Sequence, residues 1–231
     1  MGKLLTSNEI DRKSFAKLIV FAVGGLLFFL LNRSYVSNSP LNPDGAELVM
    51  AAVRGGVLHP PGFPVQAWLD RIILACFNGN PARILSLFSL VSLSLSAIVM
   101  ILIGSELSFA WVSCIFSVGT LCFHPVVRSL GLQPEKYSLT LLLFLVTVLA
   151  SLRLLRKEVV PTRGQLLFLG AVFGTAMSQH IGLAICVPLI VAALIPNGPR
   201  AGRVFIVRLA IFFGSFSLVF LLWSASMLLL T

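Results

Sequence analysis

Residues 57–77 read VLHPPGFPVQAWLDRIILACF, and whether this stretch crosses a membrane decides the topology of everything that follows it. From Phe63 to Phe77 it offers only fifteen residues and carries Asp70 and Arg71 at its middle. A span needs about 20 apolar residues, and charge at mid-bilayer is expensive. Val65, Trp68, Leu69, Ile72, Ile73, Cys76 and Phe77 recur at helical spacing with Gln66, Asp70 and Arg71 on the other side, so the stretch reads as an amphipathic helix lying at the interface. Upstream, proline fixes its own φ and restricts the residue before it, which drives His59 and Pro60 to extended geometry, while Gly62 permits a turn of either hand. Pro60, Pro61 and Gly62 therefore form a rigid elbow, and His59 is held on it.

The surrounding chain is that of a membrane protein. Of 231 residues, 58% are hydrophobic and 11% charged, with a mean hydropathy of +1.00, whereas soluble domains carry about 25% charge. Apolar runs at 14–31, 82–103, 107–123, 137–152, 164–178, 181–195 and 204–230 make seven candidate spans. The fifth and sixth are short and parted only by Gln179 and His180, as a tight hairpin or one interrupted element. The basic N-terminus resembles a signal peptide, yet Asn32-Arg33-Ser34-Tyr35 stands where a small-residue cleavage site belongs, so the first run reads as a retained helix. Cys76, Cys114, Cys122 and Cys186 sit singly and read as small hydrophobes.

Charge placement supplies the orientation. The net charge of +9 is spread in small groups beside apolar runs, without the aromatic interleaving of a nucleic-acid surface, so no nucleic-acid partner is expected. If residues 63–77 do not cross, the N-terminal tail and the loops at 153–163 and 197–208 share the cytoplasmic side and hold eleven of the 17 basic residues. If they do cross, seven of those residues land outside. The expected organisation is thus a single membrane domain, 1–231, with a cytoplasmic tail (1–13), one long extracytosolic loop (32–81) and the remaining bundle (82–231). The fold class is all-α and polytopic, with about seven transmembrane helices and two amphipathic interfacial helices in the first outer loop.

Several polar placements face that outer side. In PDGAELVMAAVRGG, residues 43–56, Pro43 and Asp44 look like a helix start and Gly55-Gly56 like its end. Asp44 and Glu47 share a face with Arg54 two turns on, and two such carboxylates can bind a metal, take a proton from a hydroxyl or hold a sugar. The plainer reading is an N-cap Asp and a first-turn Glu. Glu135 opens the fourth span, preceded by His124 and Arg128, either as a helix-start carboxylate or as part of a site. Gln179-His180 interrupts apolar sequence, a placement that favours a cavity or bundle interior. Asn32-Arg33-Ser34 is an N-glycosylation sequon at the membrane edge. No nucleotide-binding glycine loop, GxSxG elbow or HExxH pair is present.

In order and spacing, NPDGAEL, GVLHPPGFP, EKYSLT and SQHIGLA resemble the motifs of the HPPG-motif family of multispanning membrane proteins. That family was long catalogued as a domain of unknown function and includes an animal endoplasmic-reticulum protein O-mannosyltransferase. The resemblance covers about residues 43–195, with Lys136 where the family pattern has an apolar residue and Phe63 where it has Tyr. It implies a GT-C type glycosyltransferase that takes sugar from a polyprenyl phosphate or pyrophosphate carrier at the extracytosolic face. On that basis Asp44 and Glu47 are the expected catalytic pair, a divalent metal (Mg or Mn) between them being an option. Arg54, His59, Arg128, Glu135, Gln179 and His180 are the expected substrate-binding residues. The alternative is a catalytically reduced GT-C-like subunit that binds a lipid carrier or holds a partner membrane or extracytosolic protein. Compactness of the chain points to the bacterial inner membrane over the endoplasmic reticulum, with the N-terminus cytoplasmic.

Overall fold

The structure, a computed structural model, describes residues 22–56, 58, 63–156, 161–196 and 201–229. His59, Pro60, Pro61 and Gly62 of the expected elbow lie outside these described residues. Every regular element among the described residues is helical. Helix α1 (residues 22–32) is followed by α2 (Pro43–Arg54), α3 (Pro64–Cys76), α4 (Pro81–Glu106), α5 (Trp111–Phe123) and α6 (Pro125–Leu132). Then come α7 (Lys136–Arg156), α8 (Arg163–Gln179), a 3-10 segment (Ile181–Cys186), α9 (Val187–Leu194) and α10 (Ala201–Ser226).

By length and composition, three helices among the described residues can cross a membrane: Pro81–Glu106, Lys136–Leu155 and Gly202–Leu229. A fourth is available if α5 and α6 form one span bent by 66°. Seven crossings would require α1, α8 and the Ile181–Leu194 pair to cross as well. The run expected at 107–123 begins its helix only at Trp111, because Leu107 closes α4 on the Ile103 carbonyl and Ser108 turns the chain at φ 60°.

Three apolar clusters hold the bundle. Phe28, Leu90, Leu93, Ala97, Val118 and Cys122 join α1, α4 and α5. Leu154, Leu169, Phe173, Ile190, Leu194 and Phe212 join α7, α8, α9 and α10. Leu48, Leu58, Phe63 and Ala67 form a small third core between α2 and α3, against which Met227 packs. The tightest approach is between α8 and α10: a Cβ at Gly170 would lie 2.5 Å from the Phe212 carbonyl and one at Gly174 2.8 Å from the Phe216 carbonyl. Such small-xxx-small pairs let backbones touch where lipid leaves no hydrophobic drive between helices.

Long-range hydrogen bonds bring residues 37–42 to one end of this bundle. Ser37 donates its N–H to the Leu132 carbonyl (2.7 Å), Arg83 reaches Asn38 (3.0 Å) and Asn42 reaches Glu135 (3.0 Å). At the other end Arg153 pairs with Glu106 at 2.8 Å.

Helix α3 departs from the expected amphipathic layout. Its polar positions Gln66 and Asp70 are 2% and 1% exposed, whereas Ile72 is 54% and Phe77 62% exposed. The polar side is turned into the protein, against α4, α8 and α10, and part of the apolar side outward.

Candidate active site

Helix α2 starts at Pro43 as expected, but Asp44 is not its N-cap. Asn42 is its N-cap, accepting the Gly45 N–H at 2.6 Å, with Pro43 in the first turn. Asp44 is therefore released from capping. Gly45 is needed because a Cβ there would lie 2.8 Å from the Pro134 carbonyl, so α2 sits directly on the turn that opens α7. That closeness brings Lys136 Nζ to Asp44 Oδ2 at 2.7 Å, the lysine side chain being 4% exposed and the aspartate 41%.

Lys136 is the residue that the sequence reading passed over as a substituted apolar position. Its ammonium also lies 4.5 Å from the centroid of the Phe63 ring and 5.4 Å from that of Tyr137, within cation–π range. The Phe63 ring in turn stacks on His180, with centroids 6.0 Å apart and 29° between planes. Phe63 is 3% exposed and adopts φ 43°, ψ 59°, a left-handed conformation rare for a bulky residue. Packing between an imidazole and an ammonium holds it there, immediately before Pro64 opens α3.

Gln179 and His180 meet this corner from the end of α8. Gln179, wholly buried, accepts the Gln66 N–H on its Oε1 at 3.0 Å, which satisfies a donor in the first turn of α3, where Phe63 supplies no side-chain cap. His180 accepts the Gly182 N–H on Nδ1 at 3.0 Å, and this starts the 3-10 segment. Gln66 donates its Nε2 to Asp70 Oδ1 at 2.7 Å. Gln66 Oε1, Asp70 Oδ2, Gln179 Nε2 and Trp68 Nε1 have no hydrogen-bond partner among the described residues. Burial pushes the Asp70 carboxyl up to about 8, the Gln66 hydrogen bond opposing it only in part.

Other expected site residues take different places. Glu135 is 3% exposed and engaged on both oxygens: Oε1 accepts the Lys136 N–H and Oε2 the Asn42 amide, each at 3.0 Å. It brackets the starts of α2 and α7. Arg128 is tied to the α1 side, donating from Nε to Asn32 Oδ1 at 2.8 Å with its guanidinium over the Tyr35 ring. Asn32 is 1% exposed and also donates to the Phe28 carbonyl, so the sequon asparagine is spent inside the fold. Glu47 is half-buried and Arg54 exposed on α2. Of the expected residues, the structure thus gathers Asp44, Glu135, Gln179 and His180 around Lys136 and Phe63.

Among the described residues no three His, Cys, Asp or Glu side chains are grouped, and the ammonium of Lys136 already takes Asp44 Oδ2. The arrangement can fix a carboxylate beside a cation and three aromatic rings. Neither the curated proteins nor the solved structures give a match. Residues 44–201, which contain Asp44, Phe63, Glu135, Lys136, Gln179 and His180, match the protein O-mannosyl-transferase TMEM260 N-terminal domain, and the chain belongs to that family.

Proposed function

We propose that the chain is a GT-C-like glycosyltransferase that moves a sugar, mannose on the family's name, from a polyprenyl-phosphate or pyrophosphate carrier to a hydroxyl of a protein or glycan. The observation that carries this reading is the Asp44–Lys136 pair at 2.7 Å, set at the end of the bundle where the four motifs converge. Charge placement supports a cytoplasmic N-terminus, seven crossings and an extracytosolic site. The family's animal member favours the endoplasmic reticulum over the bacterial inner membrane; the extracytosolic face is common to both.

In the reaction Asp44 takes the proton of the acceptor hydroxyl as its oxygen attacks the anomeric carbon, and the bond from that carbon to the carrier phosphate breaks. Lys136 fixes the carboxylate's position, and Glu47 orients the acceptor. The departing phosphate keeps the bonding electrons and needs positive charge, which His180, His59 and Arg54 are the candidates to supply, Arg128 being held on the α1 side by Asn32. Gln179 and Glu135 are positioning residues. They hold α3 and α2 in register with α7 and α8.

One observation favours a second reading. An ammonium on Asp44 also describes a carboxylate put out of use, as in a catalytically reduced subunit that binds a lipid carrier or holds a partner. Transfer from polyprenyl-phosphate sugars by the purified chain, compared with Asp44→Asn and Lys136→Met, separates the two. The enzyme reading expects transfer by the parent, a loss of about 100-fold or more in Asp44→Asn and a smaller loss in Lys136→Met. Absence of transfer by the parent, together with co-purification of a second polytopic protein, favours the subunit.

A further inference from the structure

The end of the bundle opposite Asp44 holds a polar feature that glycosyl transfer does not use. Arg208 on α10 is 7% exposed; its Nη1 donates to the Leu194 carbonyl at 3.2 Å, and its Nε has no hydrogen-bond partner among the described residues. Among those residues no carboxylate pairs with it. Among the described residues a single carbonyl answers this buried guanidinium, which leaves it able to receive an anion.

Arg208 lines a pocket of about 380 Å³ together with Arg163, where α8 starts, and Arg203, near the start of α10. Both of these arginines are exposed, and Leu166, Val207 and Ile211 make the pocket's apolar wall. Two helices begin here, so the positive ends of their dipoles add to three guanidinium groups. A capping box between Thr162 and Gln165 occupies two of the N-terminal donors of α8, and the arginine side chains supply the charge that a ligand would meet.

We propose that this pocket binds the phosphate of an anionic phospholipid. Guanidinium forks match phosphate oxygens, and the apolar wall accepts the first carbons of an acyl chain, which a soluble phosphate does not have. Basic pockets between transmembrane helices seat anionic headgroups in this way. The site is remote from Asp44 and stands whether or not the chain transfers sugar.

The test is thermal unfolding of the full chain in neutral detergent with phosphatidylglycerol, phosphatidylcholine of the same acyl chains, or inorganic phosphate. Phosphatidylglycerol raises the Tm of the parent, and the other two leave it unchanged. Arg163→Gln and Arg203→Gln each raise the half-saturating phosphatidylglycerol concentration roughly fivefold. Arg208→Met abolishes the response while unfolding, without lipid, no lower than the parent. If that variant does not fold, the Arg163→Gln/Arg203→Gln double variant decides. Equal shifts with the two lipids, or an unchanged response in the double variant, would overturn the proposal. A shift with inorganic phosphate as large as with phosphatidylglycerol would replace the lipid with a soluble anion and overturn it equally.

Discussion

Gln179 illustrates how much one side chain carries at the corner between α3 and α8. Its amide oxygen is the acceptor for the Gln66 N–H in the first turn of α3, and both residues are buried. Gln179→Leu keeps the volume and strands that donor, which costs on the order of 1–3 kcal/mol. Gln179→Glu keeps an acceptor oxygen. The expected outcome is a lower Tm in Gln179→Leu with a recovered corner in Gln179→Glu, read by thermal unfolding in detergent and by the KM-against-kcat split of transfer. Asp70 gives a prediction in pH. Its carboxyl is raised to about 8 by burial, so the folded chain keeps a proton that the unfolded chain releases in the ordinary carboxylate range. Stability is then greatest in acid, falls as pH rises through that window and levels above about pH 8. Asp70→Asn removes the dependence and stabilises the chain by on the order of 1–3 kcal/mol at about pH 8, and Tm against pH for both proteins checks it. A parallel fall in the variant would sink the assignment. Gln179 and His180 were legible as a polar break in apolar sequence, and Asp44 as a carboxylate at a helix start. Lys136 was not, because a lysine at a helix start ordinarily reads as solvated.

At the scale of elements, α3 shows what periodicity leaves open. Spacing separates its two faces correctly, with Gln66 and Asp70 on one and Ile72 and Cys76 on the other. Which face turns inward follows a different rule beside a membrane, where lipid and protein interior are both apolar and the buried Gln66 and Asp70 side chains bond to each other. Contact between α8 and α10 was likewise hidden in an unremarkable GAVFG, residues 170–174. Gly174→Val places new atoms against the Phe216 carbonyl and the neighbouring turn of α10. It costs about 1–3 kcal/mol or more by overpacking, measured as loss of Tm, whereas the same change at Gly119 meets open space and leaves Tm near the parent's.

For the whole molecule, orientation is the quantity still to be measured. In a cysteine-free background, Ser39→Cys reports the end that holds Asp44, and Thr162→Cys reports the end that holds Arg208; both positions are exposed. A membrane-impermeant maleimide added from outside is expected to label Ser39→Cys alone, and labelling of Thr162→Cys alone would put the site in the cytoplasm. Helical class, membrane residence and the clustering of the motifs were all readable in the chain, since run length, charge placement and motif order are local quantities that need no partner. Contacts were not, because they join residues 44 with 136 and 66 with 179, pairs 92 and 113 positions apart. Only helix packing brings such residues together, and only packing showed that a lysine holds the carboxylate, that the Gln-His break caps α3, and that Arg208 is buried at the far end with no carboxylate partner among the described residues.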